Sequence, residues 1–248
     1  MRRIFGAVIV ALSLMTAPAS AEVYRLTYQA QVLGVVVLGT ANYEVAVSGQ
    51  RYALRGGVRT SGMARMFDQT QITATTTGTL AGPSILWSRF DLSHAYANKF
   101  RRVQMTHAGS QVATQIAPVF RDQGHPPASA AQRANSFDPL TAIFALGRQV
   151  AAARACNGSA LVFDGRGHYR LSVTPIAQVN YNSGGYNGPA LQCQFHYQPI
   201  AGFPKAPQHV PAAQAWFALQ PGFAAPLRIQ VPTPVGIGVV QLASYQHS

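Results

Sequence analysis

Hydrophobic and polar residues alternate along most of this chain with a period of two. Tyr24, Leu26 and Tyr28 are separated by polar residues, and Leu227 and Ile229 repeat the pattern late in the chain. Such alternation is typical of strands with one face on a core and the other in solvent, as in antiparallel sheets. It predicts about a dozen strands, near residues 23–32, 35–47, 51–60, 70–80, 84–96, 99–107, 110–119, 159–164, 168–175, 191–200, 225–231 and 236–245.

One segment has a helical period instead. Asp138 and Pro139 form an N-cap followed by proline in the first turn, and the apolar residues from Leu140 onward recur at helical spacing. We expect a helix over 139–151 that packs on the sheet. A short helical turn is predicted at 63–67, and exposed Pro-rich loops are predicted at 121–136 and 202–211.

These elements predict an all-β fold. The expected architecture is a single, strongly curved antiparallel sheet that forms an open barrel or β-spiral, with one packed α-helix. Residues 22–248 are expected to form one domain, because all-β chains of about 200–250 residues often fold as a unit. A sheet curled in this way can enclose a small apolar pocket, as in lipid carriers.

The first 21 residues predict export from the cytoplasm. Arg2 and Arg3 precede a short apolar stretch, and Ala19 and Ala21 place small residues at the two positions that a signal peptidase reads. Cleavage after Ala21 is expected to leave residues 22–248 in the periplasm. No transmembrane segment is predicted in the mature chain, because it has no apolar run of about 18 residues or more.

Cys156 and Cys193 are the two cysteines, and both lie in the exported part, where thiols oxidise in pairs. Their spacing fits neither a zinc site nor a CxxC redox motif. We therefore predict a structural disulfide between them. No metal or other cofactor is expected.

The chain is basic, with 19 Lys plus Arg against 7 Asp plus Glu and a formal net charge of +12. Two clusters are candidate anion-binding residues: Arg51, Arg55 and Arg59, and then Lys99, Arg101 and Arg102. Members of the first cluster differ by even numbers and can share one strand face. A solvated outer face is the alternative for both. In the envelope, such cations attract anionic lipid, lipopolysaccharide or peptidoglycan, and nucleic acid is not expected as a partner.

Catalytic motifs are absent from the sequence. It contains no GxGxxG, Walker, GxSxG or HExxH pattern, and its seven histidines share no ligand spacing. Glu44, Asp68, Asp91 and Asp122 are the carboxylates that remain once a helix cap, a turn residue and the terminal Glu22 are set aside. A hydrolase would need two of them in one cleft, within about 5–10 Å of each other.

These features favour a non-catalytic periplasmic protein that binds an anionic or amphiphilic envelope component, namely a lipid, lipopolysaccharide or peptidoglycan. Two alternatives stay open. One is a structural or scaffolding partner of an envelope protein assembly, with the 121–136 loop or an edge strand as its contact. The other is an envelope hydrolase.

Four segments together are similar to one family. Residues 136–146 resemble a D-P-L-(S/T)-A segment, and residues 162–169 resemble a VFDGRRRYDL hairpin. Cys193 with residues 197–203 is similar to a second cysteine and the turn after it, and residues 226–243 resemble a final hairpin. The family consists of exported proteobacterial proteins and is catalogued as domain of unknown function 3108.

The resemblance has consequences for the fold but not for activity. Gly167 and His168 depart from the family's usual basic pair, and Arg170 replaces an acidic residue. The resemblance implies a periplasmic, mostly antiparallel β protein, similar to the open spiralling barrels of other envelope proteins. It also implies pairing of Cys156 with Cys193, and it implies no catalytic residue.

Overall fold

Thirteen strands form one sheet in the computed structural model of the protein, which describes residues 21–66, 69–97, 99–205, 210–234 and 236–248. Apart from Ala21, the predicted signal segment lies outside the described residues. The strands are β1 (Glu22–Val32), β2 (Val36–Ser48), β3 (Arg51–Thr60), β4 (Gln71–Ala81), β5 (Ser84–Tyr96), β6 (Lys99–Ala108), β7 (Gln111–Ala117), β8 (Gly158–Phe163), β9 (His168–Ser183), β10 (Tyr186–Ala201), β11 (Ala213–Ala218), β12 (Pro226–Thr233) and β13 (Gly236–His247).

The sheet is antiparallel throughout, in the order β7-β6-β5-β4-β3-β2-β1-β13-β12-β11-β10-β9-β8. The sheet curls so far that the β8–β9 turn, next to one edge strand, contacts β6 and β7 at the opposite edge. A Cβ built on Gly165 in that turn would lie 2.7 Å from Val103 Cγ1 and 3.7 Å from Ile116 Cδ1. The terminal strands β7 and β8 are not paired with each other. The fold is therefore an open barrel, as the sequence predicts.

Two helices lie between β7 and β8: α1 (Ala130–Ala134) and α2 (Pro139–Ala153). α2 begins where the sequence predicts, with Asp138 as its N-cap. Asp138 Oδ1 accepts hydrogen bonds from the amides of Leu140 (3.0 Å) and Thr141 (3.1 Å). Because Asp138, Leu140 and Phe144 are all buried, this helix packs within the curl of the sheet.

Aromatic side chains fill one end of the barrel interior. The ring of Phe144 on α2 lies 5.6 Å from that of Phe223 and 5.3 Å from that of Tyr52, while Phe223 also contacts Tyr24 edge-on at 5.3 Å. A Cβ on Gly147 would collide with the Phe223 ring. Glycine at that position therefore lets α2 approach the β11–β12 loop.

Most predicted strands end within about two residues of the observed bounds. The alternation pattern missed β11. The apolar residues of this strand are not separated by a series of polar ones, and a Pro-rich stretch precedes them. The pattern also made β9 and β10 too short. The predicted loop 121–136 contains α1, which begins with a capping box between Ser129 and Gln132. The predicted turn at 63–67 is a 3-10 helix over Gly62–Met66.

The predicted disulfide between Cys156 and Cys193 is present, with a Cα–Cα distance of 5.6 Å. It joins the segment after α2 to β10. Both cysteines are buried with Val150 of α2 and Phe217 of β11. The bond therefore holds the C-terminal end of the helix on the sheet.

Candidate functional site: an apolar cavity beside α2

A cavity of about 400 Å³ lies between α2 and the inner face of the sheet. Its volume falls in the range of small-molecule sites, about 300–1,000 Å³. Its walls are almost wholly apolar, with Leu140, Ile143 and Leu146 from α2 and Ala41, Val58, Ile72, Ala74, Phe90, Phe195, Ile229 and Val240 from the sheet.

Small residues create this space. Ala41, Gly56 and Ala74 occupy inward positions on three neighbouring strands, where larger side chains would reach α2. A Cβ on Gly56 would lie only 2.7 Å from Leu140 Cδ2. The cavity is therefore a consequence of side-chain size at these positions.

The cavity opens at one end of the barrel. Inward residues of β3 pass from the buried Leu54 to Val58, which is 46 % exposed, and those of β4 pass from the buried Ala74 to the half-buried Ile72. The β1–β2, β3–β4, β5–β6 and β12–β13 turns all lie at this end, which we call the mouth end.

Two tyrosines in the wall have satisfied hydroxyl groups. Tyr28 donates to the carbonyl of Pro226 (2.8 Å), and Tyr43 donates to the carbonyl of Leu140 (2.9 Å). Burial raises the pKa of both phenols far above the ordinary value, so both stay neutral. Asn42 and Arg228 also line the cavity, and the buried Nε of Arg228 makes no hydrogen bond to any described residue. The two phenols are thus satisfied, while the Arg228 guanidinium keeps a donor for a polar or anionic group of a ligand.

Asp164 is the turn residue that the sequence predicts, and it is largely enclosed. Its Oδ1 accepts from the amides of Arg166 (3.0 Å) and Gly167 (2.8 Å), and burial raises the pKa of its carboxyl. His168 beside it is buried, and its ring nitrogens make no hydrogen bond to any described residue. Burial lowers the pKa of His168, so its ring is neutral at pH 7.

The first basic cluster lies on the outside of the barrel. Arg51, Arg55 and Arg59 are all exposed and share the outer face of β3, as their spacing predicts. Arg55 lies opposite Glu44 on β2 and Thr75 on β4. This cluster therefore points away from the cavity, and its binding of an anion stays a prediction.

The second basic cluster begins β6 at the mouth end. Arg102 pairs with Asp91 (3.6 Å), while Arg101 lies over the ring of Phe120 at 4.0 Å. Lys99 is exposed. The structure does not join the two clusters, because two strands separate β3 from β6, a distance of about 14 Å.

The candidate hydrolase carboxylates lie in ion pairs. Glu44 pairs with Arg25 (3.4 Å) and Asp91 with Arg89 (2.7 Å). The hydrogen bond from Arg89 lowers the pKa of Asp91. Glu44 and Asp91 lie three strand spacings apart, about 14 Å, which exceeds the separation of a glycosidase pair.

The remaining two carboxylates of that set add no second pair. Asp122 contacts Arg166 (3.5 Å) and His125 (3.6 Å) in the segment after β7. Asp68 lies outside the described residues. Glu44, Asp91 and Asp122 therefore act as ion-pair partners of arginine, and the hydrolase alternative gains no support from them.

An open antiparallel barrel with an internal helix and an apolar cavity defines a β-barrel-like protein. The sequence profile of the family described as protein of unknown function (DUF3108) matches residues 23–243, and the chain belongs to that family. The comparison with curated proteins returns no match.

A solved structure supports the same architecture. The chain is similar to a beta-barrel-like protein of domain of unknown function DUF1849 from Brucella abortus, with a TM-score of 0.54 and 12 % identity over 94 % of this chain and 100 % of that one. At this identity the likeness concerns the fold alone. Among the described helices, none has the length and apolar character needed to cross a bilayer.

Proposed function

We propose that the protein binds an amphiphilic envelope molecule and holds its hydrocarbon part in the cavity beside α2. The observation that carries this proposal is the cavity itself, about 400 Å³ of space with apolar walls and one open end. Each methylene buried there gains about 0.8 kcal/mol. An acyl segment therefore supplies binding energy that a sugar or peptide cannot obtain from such walls.

Charge at the mouth end favours an anionic headgroup on that molecule. Arg101 and Arg166 lie on the ring of Phe120, at 4.0 Å and 5.1 Å from its centroid. Both belong to a shallow surface depression that also includes Arg121 and Asp122, so three arginines there face one carboxylate. Guanidinium groups held in this way are suited to carboxylate and phosphate oxygens.

Binding can be measured with 1-anilinonaphthalene-8-sulfonate, an anionic dye that fluoresces in apolar sites, and with displacement of the dye by palmitate. Native mass spectrometry of protein purified from the periplasm tests for a co-purified lipid. We expect saturable dye binding that palmitate reverses.

Two alanines offer a matched pair of variants. Ala41→Phe fills the cavity and should abolish palmitate binding, whereas Ala53→Phe adds the same ring on the exposed outer face of β3 and should leave it unchanged. If Ala41→Phe does not fold, Val58→Trp fills the open end instead. Equal palmitate affinity in the filled and control variants would overturn the proposal.

The protein-partner alternative has one structural observation in its favour. β7 ends the sheet, and strand addition at a sheet edge is a common mode of protein recognition. The opposite edge is covered, because Phe137 exchanges backbone hydrogen bonds with Leu161 (2.8 Å) and Phe163 (2.9 Å). A pull-down that returns one stoichiometric protein and no lipid would favour this alternative.

A further inference from the structure

Exposed hydrophobic side chains are concentrated at the mouth end. Leu33 (62 % exposed) and Val35 (80 %) form the β1–β2 turn, Ile237 follows the β12–β13 turn, and Phe100 begins β6. Two exceptions are Leu86, 51 % exposed near the opposite end at the start of β5, and Ile176, 44 % exposed midway along β9. The barrel is therefore polarised, with its apolar surface around the cavity opening.

Two of these turns form a continuous surface. Leu33 Cδ2 lies 2.6 Å from the position that a Cβ on Gly236 would take, so the β1–β2 and β12–β13 turns are in contact. We call Leu33, Val35 and Ile237 the apolar tip. From the tip, Ile237 is about 10 Å along β13 from Val240 in the cavity wall.

Exposed cations lie at the same end of the barrel as the apolar tip. Arg59 lies near the end of β3, Arg65 lies in the 3-10 turn, and Lys99 begins β6. The amide of Ser61 donates to the carbonyl of Leu38 (3.0 Å), which holds the 3-10 turn beside β2.

These three cations form no ion pair with any described carboxylate. At the same end, Asp122 pairs with Arg166 (3.5 Å), and Asp164 accepts hydrogen bonds from amides of its own turn. The described surface of the mouth end is therefore both apolar and positively charged. A partner that complements it presents negative charge at its surface and hydrocarbon below.

We propose that the mouth end docks on an anionic membrane surface. The apolar tip enters the headgroup region, and Arg59, Arg65 and Lys99 contact lipid phosphates. Surface-bound proteins combine apolar insertion with basic contacts in this way. The inference goes beyond the proposed cavity function and does not require it, although the cavity opening would then face the bilayer.

Co-sedimentation with lipid vesicles tests this docking. Purified periplasmic protein is mixed with vesicles of phosphatidylglycerol and phosphatidylcholine in equal parts, or with phosphatidylcholine alone. We expect binding to the anionic vesicles that weakens as salt is raised, because salt screens surface charge. Equal binding to both kinds of vesicle, or to neither, would overturn the inference.

Leu33→Asp and Leu86→Asp are matched variants, since both replace an exposed leucine with the same acid. Leu33→Asp should weaken vesicle binding by about tenfold or more, and Leu86→Asp should leave it near the wild-type value. Equal weakening by both would mean that overall net charge alone governs binding, which contradicts a docking tip.

A gain of signal provides an independent readout. Brominated lipids quench tryptophan at bilayer depth, so a Val35→Trp variant should be quenched and a Leu86→Trp variant should not. Native Trp87 is buried and native Trp216 is half-buried, and the wild-type protein measures the quenching of both as the background. Absence of quenching at residue 35 would overturn the docking.

Dye uptake without vesicles separates the two proposals. If the protein binds the dye but not anionic vesicles, the membrane-docking inference alone is overturned. Loss of uptake with docking retained overturns the cavity proposal alone.

Discussion

The hydroxyl of Thr76 on β4 donates to Oδ1 of Asp138, the N-cap of α2, over 2.7 Å. Both residues are buried. The same carboxylate oxygen also caps the amides of Leu140 and Thr141. A single carboxyl group thus joins the first turn of the helix to the inner face of the sheet.

Replacement of this carboxyl should destabilise the protein in a graded way. Asp138→Ala removes the cap and should lower the free energy of unfolding at pH 7 by about 1–2 kcal/mol. Asp138→Asn keeps an oxygen acceptor and should cost less. Urea denaturation measures both, and an equal cost for the two variants would contradict the assigned role of Oδ1.

The pH dependence of stability should distinguish Asp138 from Asp91. Burial raises the pKa of Asp138 above its ordinary 3.8. The protonated Asp138 therefore stabilises the fold fully at pH values below the pKa of its carboxyl in the unfolded chain. This stabilisation declines as pH rises through the pKa of the carboxyl in the folded protein. Asp91 has a lowered pKa, chiefly through the Arg89 hydrogen bond, so its contribution is present above the unfolded value and declines as pH falls.

Urea denaturation from pH 3 to pH 7 (roughly the range over which a carboxyl titrates) tests these signs. The loss in free energy of unfolding caused by Asp138→Asn, relative to wild type, should become smaller as pH rises. The loss caused by Asp91→Asn should become larger. The Asp91 effect should be small because the ion pair is near the surface. Parallel profiles for the two variants would refute the assignment.

Phe144 should be the most costly residue of α2 to truncate. It is fully buried between Tyr52 and Phe223. Phe144→Ala should cost about 3–5 kcal/mol. Ile143→Ala should cost less, because Ile143 borders the cavity and has fewer packed neighbours to lose. A near-zero effect at Phe144, measured by urea denaturation, would place the helix outside the core.

Removal of the disulfide should destabilise the fold without changing it. The two cysteines are 37 positions apart, and in the chain-entropy description a loop of that length contributes about 4 kcal/mol. A Cys156→Ala and Cys193→Ala double variant should therefore melt at a lower temperature with an unchanged far-ultraviolet circular dichroism spectrum. Wild-type stability that is unaffected by a reductant would contradict this.

Gly165 should be sensitive to an added methyl group. It has a φ of +103° and a Cβ there would press on Val103 across the gap in the barrel, whereas Gly109, at +59°, has open space around it. Gly165→Ala should cost about 1–3 kcal/mol more than Gly109→Ala. Equal melting temperatures for the two variants would show that the β8–β9 turn does not pack on β6.

The fold could be predicted from the sequence because its signals are local. Alternation marks the strands, Asp138 and Pro139 mark the start of α2, and two cysteines in a chain predicted to be exported allow one disulfide. β11 was missed since Gln214 is the one polar residue in this short strand and Trp216 takes the next alternate position, which leaves no polar series to detect. The helix α1 was missed since five residues carry too little periodicity to detect.

The sequence predicted that an apolar cavity could exist but not its size or position. A curled sheet suggests an apolar interior, but its volume depends on small residues such as Ala41 and Gly56 meeting Leu140 from a helix about a hundred positions away. The apolar tip was also missed. Leu33 and Ile237 lie far apart in the chain, and only strand pairing between β1 and β13 brings their turns together.

The pairing of β1 with β13 sets an order of events for the newly made chain. Backbone hydrogen bonds join Val23 to Ser248 in both directions, at 2.8 Å and 3.0 Å. A polypeptide that emerges from its N-terminus first must keep β1 half-paired until β13 arrives, more than 200 residues later. β1 then meets β13, and this pairing unites the two arms of the sheet, β7 to β1 and β13 to β8.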